Sequence, residues 1–439
     1  MKLGKTLAVN SVYRILNIVV VFLITILLSR LTGVAGYGLL SLMIANATIF
    51  NLLSGLGADA GIGYHTATDD LPVTKIISFL FSIIFLQLVL LSIAEIISFS
   101  LTGHLWLLRS TDVKQWWLGF VFFISISLVE KFTALFNGKQ LFARCNKILL
   151  VSNALMLMIF IILWFWFDVG SVYFYISVYV LFNLLQALFL IISWRLIRGN
   201  KFSWNKFEKK DVSIFFSYSL MAFITNVIQF FAYRIDYWFV DHYRGEQELG
   251  WYSLAVRTAQ MFWILPLLFA SVIFPSVAGN KQQYDDGRLL ALIRGLNFLN
   301  IISGVILFFA STSVIPFLFG TSYNNSIELF QILLPGVILF CIATILAAYF
   351  AGMKKLEINF WGSFLCFITI LLLDITLIPS IGMKGAAIAS SVGYSATAIY
   401  FSIAYILQRK IPFWKLIVPI KSDWKYIIDI LRKNNKEQT

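Results

Sequence analysis

Long apolar stretches alternate with short polar segments along almost the whole chain. Each stretch holds about 20 or more predominantly apolar residues, which is the length that an α-helix needs to cross about 30 Å of hydrocarbon. So many runs of this length cannot all be buried inside a soluble protein of 439 residues. The pattern predicts an all-α polytopic membrane protein with 12 transmembrane helices. The predicted spans are 10–29, 38–56, 76–99, 116–136, 148–167, 172–193, 213–240, 251–277, 289–318, 326–351, 356–379 and 383–408.

The composition supports a membrane protein and excludes several other classes. Hydrophobic residues make up 60% of the chain and charged residues 13%, and the mean hydropathy is +0.85. Soluble globular proteins carry about 25% charged residues, so this chain has too little polar surface to face water. Its three cysteines are too few and too scattered for a disulfide framework or a zinc site.

Lysine and arginine are divided unevenly between the two sets of loops that 12 spans define. With the N-terminus in the cytoplasm, 24 of the 34 basic residues fall in cytoplasmic segments and 5 in external segments or at the external end of a span. Short cytoplasmic loops retain basic residues, so both termini are predicted to be cytoplasmic. The net charge of +13 is then explained by topology and by anionic membrane lipid, and no nucleic-acid partner is expected.

Two short matches predict an internal duplication. The pattern G-x4-G-x2-S-L begins at Gly33 and again at Gly245, 212 residues later, and the predicted fourth and tenth spans end at Gly138 and Gly352, 214 residues apart. Repeats of this kind are common in transporters, although coincidence in a Gly- and Leu-rich sequence is the alternative. The prediction is two six-helix lobes, 1–200 and 201–410, with a central cleft between them and a basic amphipathic cytoplasmic tail at 411–439.

Charged residues inside the predicted spans are the candidates for function, because a charge in hydrocarbon costs several kcal/mol, about 3 on the lenient insertion scale. The planar guanidinium of arginine suits a phosphate ligand, and a lone membrane carboxylate can carry a proton or bind Na⁺. The alternatives are structural ion pairs and hydrogen bonds to neighbouring spans. Asp236 and Arg257 flank one predicted turn at similar depth and are predicted to form a pair. The candidate substrate-binding residues are Arg14, Lys131, Arg234 and Arg257, and the candidate ion-coupling or cavity acids are Glu130, Asp236 and Asp374.

Motifs of enzymes are missing from the sequence. There is no H-E-x-x-H or C-x-x-C, and Gly4-Lys5-Thr6 lacks the strand and first glycine of a P-loop. The protein is therefore expected not to be an enzyme and to need no cofactor, apart from a coupling ion such as H⁺ or Na⁺.

Four segments resemble the Wzx-type polysaccharide flippases, which belong to the multidrug/oligosaccharidyl-lipid/polysaccharide exporter superfamily. The resemblance covers about residues 1–410. The segments are SRLTGVAGYGLLSLMIA, YRIDYWFVDHYRGEQELGWYSLAVRTAQ, LLPGVILFCIATILAAYFAGMKK and LIPSIGMKGAAIASSVGY.

The resemblance implies a function and a location. It implies that undecaprenyl-pyrophosphate-linked oligosaccharide repeat units are flipped across the bacterial inner membrane by alternating access, for O-antigen (lipopolysaccharide) or capsule synthesis. A cationic central cavity is implied at Arg14 and Arg257, with Asp236 beside them. The implied partners are the lipid-linked oligosaccharide, membrane lipid, a polysaccharide polymerase and a chain-length regulator. Two alternatives stay open: a drug or cation antiporter of the same superfamily, and a membrane polysaccharide polymerase or ligase.

Overall fold

The computed structural model describes residues 2–68, 71–112, 115–166, 170–198, 209–279, 286–412 and 414–417. Within these ranges the chain is helical and contains no strand. The helices divide between two compact units, Lys2–Val227 and Ile228–Thr439. The first unit contains α1 (Lys2–Gly55), α2 (Ala58–Thr68), α3 (Val73–Thr102), α4 (Trp116–Gly138), α5 (Phe142–Trp166), α6 (Val172–Arg198) and the start of α7 (Lys209–Ala259). The second contains the rest of α7, α8 (Ile264–Gly279), α9 (Asp286–Phe319), α10 (Asn325–Gly352), α11 (Leu356–Ile381), α12 (Met383–Arg409) and α13 (Trp414–Ile417).

The surface of the described helices is suited to lipid. Ten helices in the described ranges are long and apolar enough to cross a membrane. Large apolar side chains point outward from them, and Phe317 for example is 78% exposed. Helices satisfy their own backbone hydrogen bonds, which is the condition for a lipid-exposed segment. The prediction of an all-α polytopic membrane protein is confirmed.

Two of the ten membrane helices bend sharply at a glycine, and the bends account for the 12 predicted spans. Helix α1 bends at Gly33 (φ 68°, ψ −177°), and α7 bends at Gly245 (φ 81°, ψ −179°). This backbone region is open almost only to glycine. A Cβ atom at either position would meet nothing within 4 Å, so glycine is needed here for its conformation and not for space.

The other pair of repeated glycines makes close helix contacts of the same kind. A Cβ at Gly138 would lie 2.7 Å from the carbonyl oxygen of Gly63 and 2.7 Å from Cβ of Thr66. A Cβ at Gly352 would lie 2.9 Å from the carbonyl oxygen of Phe274 and 2.8 Å from Cβ of Val277. Phe274 and Val277 each follow their counterparts, Gly63 and Thr66, by 211 residues. These matched contacts support the predicted duplication.

The structure adds helices that the apolar pattern did not predict. Helix α2 lies in the segment between the second and third predicted spans. The short helix α13 lies in the predicted tail, where the buried guanidinium of Arg294 donates a hydrogen bond to the carbonyl oxygen of Lys415 and Leu416 is fully buried. The predicted lobe boundary at 200/201 lies outside the described residues, and the boundary between the two compact units falls inside α7.

A polar layer crosses the core of the first unit between two apolar clusters. Along α3, Leu91 belongs to one cluster and Ile83 to the other, and the fully buried Gln87 lies between them. Gln87 reaches residues of α1 at this level, which places a polar site inside the unit.

Candidate functional site

Each unit contains a group of polar residues buried among its helices. We call Asn51, Asp59, Gln87, Ser127, Glu130 and Lys131 the first-unit cluster, and Arg234, Asp236, Tyr252, Asp374 and Ser390 the second-unit cluster. Polar groups at membrane depth are costly unless they are paired or face a ligand or water. A polar group that is paired within the protein is therefore interpreted as structural, and an unpaired one as a candidate for binding.

Asn51 is the centre of the first-unit cluster. Its side-chain oxygen lies 3.0 Å from Nε2 of Gln87, 2.8 Å from Oγ of Ser127 and 3.1 Å from Nζ of Lys131. All three partners are fully buried, and Lys131 also lies 3.0 Å from Oγ of Ser127. These bonds join α1, α3 and α4 and hold the ammonium of Lys131 in a fixed position.

Two carboxylates lie beside this buried ammonium. The side-chain oxygen Oδ1 of Asp59, on α2, lies 3.7 Å from Nζ of Lys131. Glu130 is exposed and accepts a hydrogen bond from Nδ2 of Asn51. The cluster therefore carries one buried positive charge and two negative groups that reach its surface. In this conformation Lys131 faces protein acceptors, and its predicted contact with substrate stays a prediction.

The centre of the second-unit cluster is the carboxylate of Asp236. Its Oδ2 atom accepts hydrogen bonds from the hydroxyl of Tyr252 and from Oγ of Ser390, the latter at 3.1 Å. The three residues are at most 1% exposed and lie on α7 and α12. The predicted pair of Asp236 with Arg257 is wrong, because Arg257 forms no ion pair with a described residue, and the tyrosine and the serine bind the carboxylate instead.

Asp374, on α11, has no exposed surface, and neither of its carboxylate oxygens has a hydrogen-bond partner among the described residues. It lies within electrostatic range of Asp236 and Tyr252. One oxygen of Asp236, Oδ1, also lacks a hydrogen-bond partner in the described part of the chain. Two acids with free buried oxygens thus interact electrostatically, an arrangement that a bound proton or small cation would stabilise.

Arg234 belongs to an aromatic region next to these acids. Its Nη1 atom donates to the hydroxyl of Tyr237 at 2.7 Å, and its guanidinium carbon lies 4.8 Å from the centre of the same ring. Its Nη2 atom lies 3.4 Å from the side-chain oxygen of Gln260. Both contacts are to neutral groups, so the positive charge of Arg234 is held in place without a hydrogen-bonded carboxylate.

Arg14 and Arg257 differ from the other candidates. Arg14 is exposed on α1, and Arg257 is half-buried on the second arm of α7. Among the described residues neither side chain has a hydrogen bond or an ion pair. Their guanidinium groups are therefore available to a ligand.

Sequence reasoning missed several members of the clusters. Asn51, Gln87 and Ser127 are uncharged, and only charged residues inside spans were weighed as candidates. An uncharged amide in an apolar run is a weaker signal, but three such polar residues at compatible depths could have indicated the first-unit cluster. Asp59 was placed in a loop, because α2 was not predicted.

Comparisons with known proteins show the family to which the chain belongs. A model of a family described as "Polysaccharide biosynthesis protein" matches residues 27–328, and the chain belongs to this family. The probable low-salt glycan biosynthesis flippase Agl15 of Haloferax volcanii is 21% identical over 225 residues, which is 50% of this chain and 47% of that protein. The chain thus aligns with about half the length of this curated relative.

Solved structures agree on the fold. The lipid II flippase MurJ in an inward closed conformation superposes with a TM-score of 0.72 at 15% identity, covering 95% of this chain and 90% of that chain. An inward-facing multidrug resistance MATE family transporter of the MOP superfamily gives a TM-score of 0.66 at 13% identity, covering 91% and 94%. The fold is therefore that of MurJ and the MATE transporters, and the relatives are named flippases and transporters rather than enzymes.

Proposed function

We propose that this protein is a flippase for undecaprenyl-pyrophosphate-linked oligosaccharide repeat units. It moves them from the inner to the outer leaflet of a bacterial cytoplasmic membrane by alternating access, for the synthesis of a cell-surface polysaccharide such as O-antigen or capsule. Membership of a polysaccharide biosynthesis family and a fold shared with MurJ support this substrate class. A polysaccharide polymerase and a chain-length regulator are the partners we propose, since the translocated unit has to be polymerised.

The observation that carries the proposal is the pair of arginines without protein partners. An arginine in a membrane span is costly, and its cost falls when an anion binds it. Arg14 and Arg257 have no acceptor among the described residues, although each lies in a helix that is apolar enough to span a membrane. A diphosphate supplies acceptors that match the planar guanidinium, and it cannot cross hydrocarbon without such neutralisation.

We propose that Asp236 and Asp374 couple transport to an ion, either H⁺ or Na⁺. Their free buried oxygens are what a proton or a small cation would fill. Tyr252 and Ser390 bind Asp236, so filling this site changes the contacts between α7 and α12. Such a change provides a link between ion binding and the conformation of the second unit.

The proposal is tested by following the lipid-linked unit in a strain that makes one known polysaccharide. Deletion of the gene is expected to leave unpolymerised lipid-linked units in the inner leaflet, and expression of the wild-type chain is expected to restore export. Delivery of these units to the outer leaflet in the deletion strain, with other flippases also removed, would overturn it.

A drug or cation antiporter is the second candidate function. Two features favour it: the two acids of the second-unit cluster and the aromatic side chains around Tyr233. The ring of Trp263 lies 5.4 Å from that of Tyr233, and the ring of Phe340 lies 6.0 Å from it. Organic cations bind to acidic and aromatic side chains of this kind. Efflux of a fluorescent organic cation by the purified protein in liposomes, blocked by Asp374→Asn, would favour this candidate. Absence of efflux together with the leaflet defect would favour the flippase.

A further inference from the structure

A pocket of about 600 Å³ opens in the first unit among α1, α5 and α6. It lies where α5 begins and α6 ends, beside the start of the first candidate membrane span of α1, because its wall includes Tyr13, Arg144 and Ser193. Lys147 also lines it, and no carboxylate is among its described lining residues. Its described wall thus carries two positive charges without a compensating negative charge, and none of the candidate residues for transport belongs to that described wall.

The chemistry of the pocket changes along the helix axis. Arg144, Lys147 and Val151 lie at spacings of three and four residues, so they share one face of α5. The two cations come first, and Val151 follows about 10 Å beyond Arg144 and about 6 Å beyond Lys147, at 1.5 Å per residue. On α6, the exposed ring of Phe189 lies one turn before Ser193 and adds to the apolar part of the wall. A charged end and an apolar stem match an amphiphile with an anionic head.

The geometry of the cationic end is partly fixed. Nε of Arg144 donates to Oγ of Ser193 at 3.0 Å, which ties the start of α5 to the end of α6 and leaves the two Nη groups of the guanidinium for a ligand. Lys147 has no ion pair among the described residues. An arginine oriented in this way next to a lysine suits the oxygens of a phosphate.

A ladder of amides deeper in the unit fixes the walls of the pocket. Nδ2 of Asn153 donates to Oδ1 of Asn17 at 2.8 Å, and Nε2 of Gln186 lies 3.4 Å from Oδ1 of Asn153. These three residues belong to α1, α5 and α6, and each lies within about one turn of a lining residue of the same helix. The three helices are therefore linked by hydrogen bonds beside the pocket, which keeps its walls in place without a ligand.

We propose that this pocket binds the phosphate headgroup of a membrane lipid, with an acyl or prenyl chain along Val151 and Phe189. Basic residues near the ends of spans also serve topology, but topology requires neither a pocket nor an oriented arginine. The headgroup belongs either to a bulk anionic phospholipid or to the polyprenyl diphosphate of the proposed substrate. Only the second case rests on the proposed function.

The test is lipid binding by the purified full-length protein in a neutral detergent, followed by native mass spectrometry. The probes are phosphatidylglycerol, undecaprenyl diphosphate, phosphatidylcholine and inorganic pyrophosphate. The variant Arg144→Gln/Lys147→Gln is expected to bind the anionic lipids about 30-fold more weakly, as follows from the loss of two basic residues at a membrane surface. Lys354→Gln/Lys355→Gln removes two exposed charges from the other unit and is the matched control, with no change expected.

A second variant tests the space of the pocket independently of its charge. Ala143→Trp fills the pocket and keeps both cations, and it is expected to weaken lipid binding as well. Preference for undecaprenyl diphosphate would support a substrate site, and equal binding of phosphatidylglycerol would support a general lipid site. Equal losses in the variant and the matched control, unchanged binding by Ala143→Trp, or pyrophosphate binding as tight as that of the lipids would overturn the proposal. None of these results depends on the leaflet assay, so the two proposals can fail separately.

Discussion

Gly33 and Gly245 adopt the same backbone conformation 212 residues apart, with φ of 68° and 81° and ψ close to 180° in both. Each lies where a long helix turns from one membrane arm into the next. The first glycine of the repeated motif is thereby explained by geometry, because any other residue would adopt this region of φ and ψ only at a cost in conformational free energy. The predicted repeat therefore extends to the bend itself and not only to the sequence around it.

Substitution of these two glycines is expected to destabilise the protein. Gly33→Ala and Gly245→Ala force a Cβ into a strained conformation, and each is expected to lower the free energy of unfolding by about 1–3 kcal/mol. Gly170→Ala is the control, because Gly170 has no positive φ and a Cβ added there would meet no heavy atom within 4 Å. Thermal unfolding in detergent measures the difference. Equal melting temperatures for all three variants would show that the bends are not strained.

Loss of Asn51 is expected to disrupt the first-unit cluster. Asn51→Leu removes the shared acceptor of three buried donors, each of which keeps one other acceptor, and each hydrogen bond lost costs about 1 kcal/mol. Asn183→Leu is the control, because within the described part of the chain Asn183 donates only to the carbonyl oxygen of Tyr179 in its own helix. Thermal unfolding of the two variants makes the comparison. Equal melting temperatures for Asn51→Leu and Asn183→Leu would contradict a structural role for this cluster.

Asp374→Asn is expected to remove the ion dependence of transport without unfolding the protein. The amide keeps the shape of the side chain, cannot become a carboxylate and relieves the repulsion from Asp236. Transport in liposomes is measured against a pH gradient and against a Na⁺ gradient. Glu328→Gln, at an exposed ion pair with Lys384, is the control and is expected to keep the dependence. Persistence of the same ion dependence in Asp374→Asn would exclude this acid from coupling.

Arg257→Ala is expected to lower transport about tenfold or more while leaving the melting temperature unchanged. No hydrogen bond to a described residue is lost with this side chain, so the effect should fall on the ligand and not on the fold. Arg257→Lys keeps the charge but not the planar fork, and intermediate transport is expected. Normal transport by the alanine variant at equal protein level would remove Arg257 from the mechanism.

The fold was largely predictable from the sequence, because in lipid the length of an apolar run almost determines a helix. The predicted spans coincide with helices even where the chain turns without a loop, as at Gly33. Helix α2 was not predicted, since it has 11 residues and lies next to a span instead of crossing one. Its carboxylate Asp59 was consequently left out of the candidate site.

The pairing of polar residues was the part that the sequence could not determine. Equal distances from a turn placed Asp236 and Arg257 at one depth, but depth does not fix the direction in which a side chain leaves its helix. In the structure, the side chains of Tyr252 and Ser390 point to the carboxylate of Asp236 instead. Ser390 is 154 residues from Asp236, a contact that no local pattern encodes.

The attachment of α13 has a practical consequence for handling the protein. The guanidinium of Arg294 is buried under the carbonyl oxygen of Lys415, and Leu416 fills the space beside it. A truncation before position 414, or a purification tag fused there, would remove one hydrogen-bond acceptor of this guanidinium and empty the space that Leu416 fills. Expression vectors should therefore retain the chain through Ile417, and a tag is better placed beyond it.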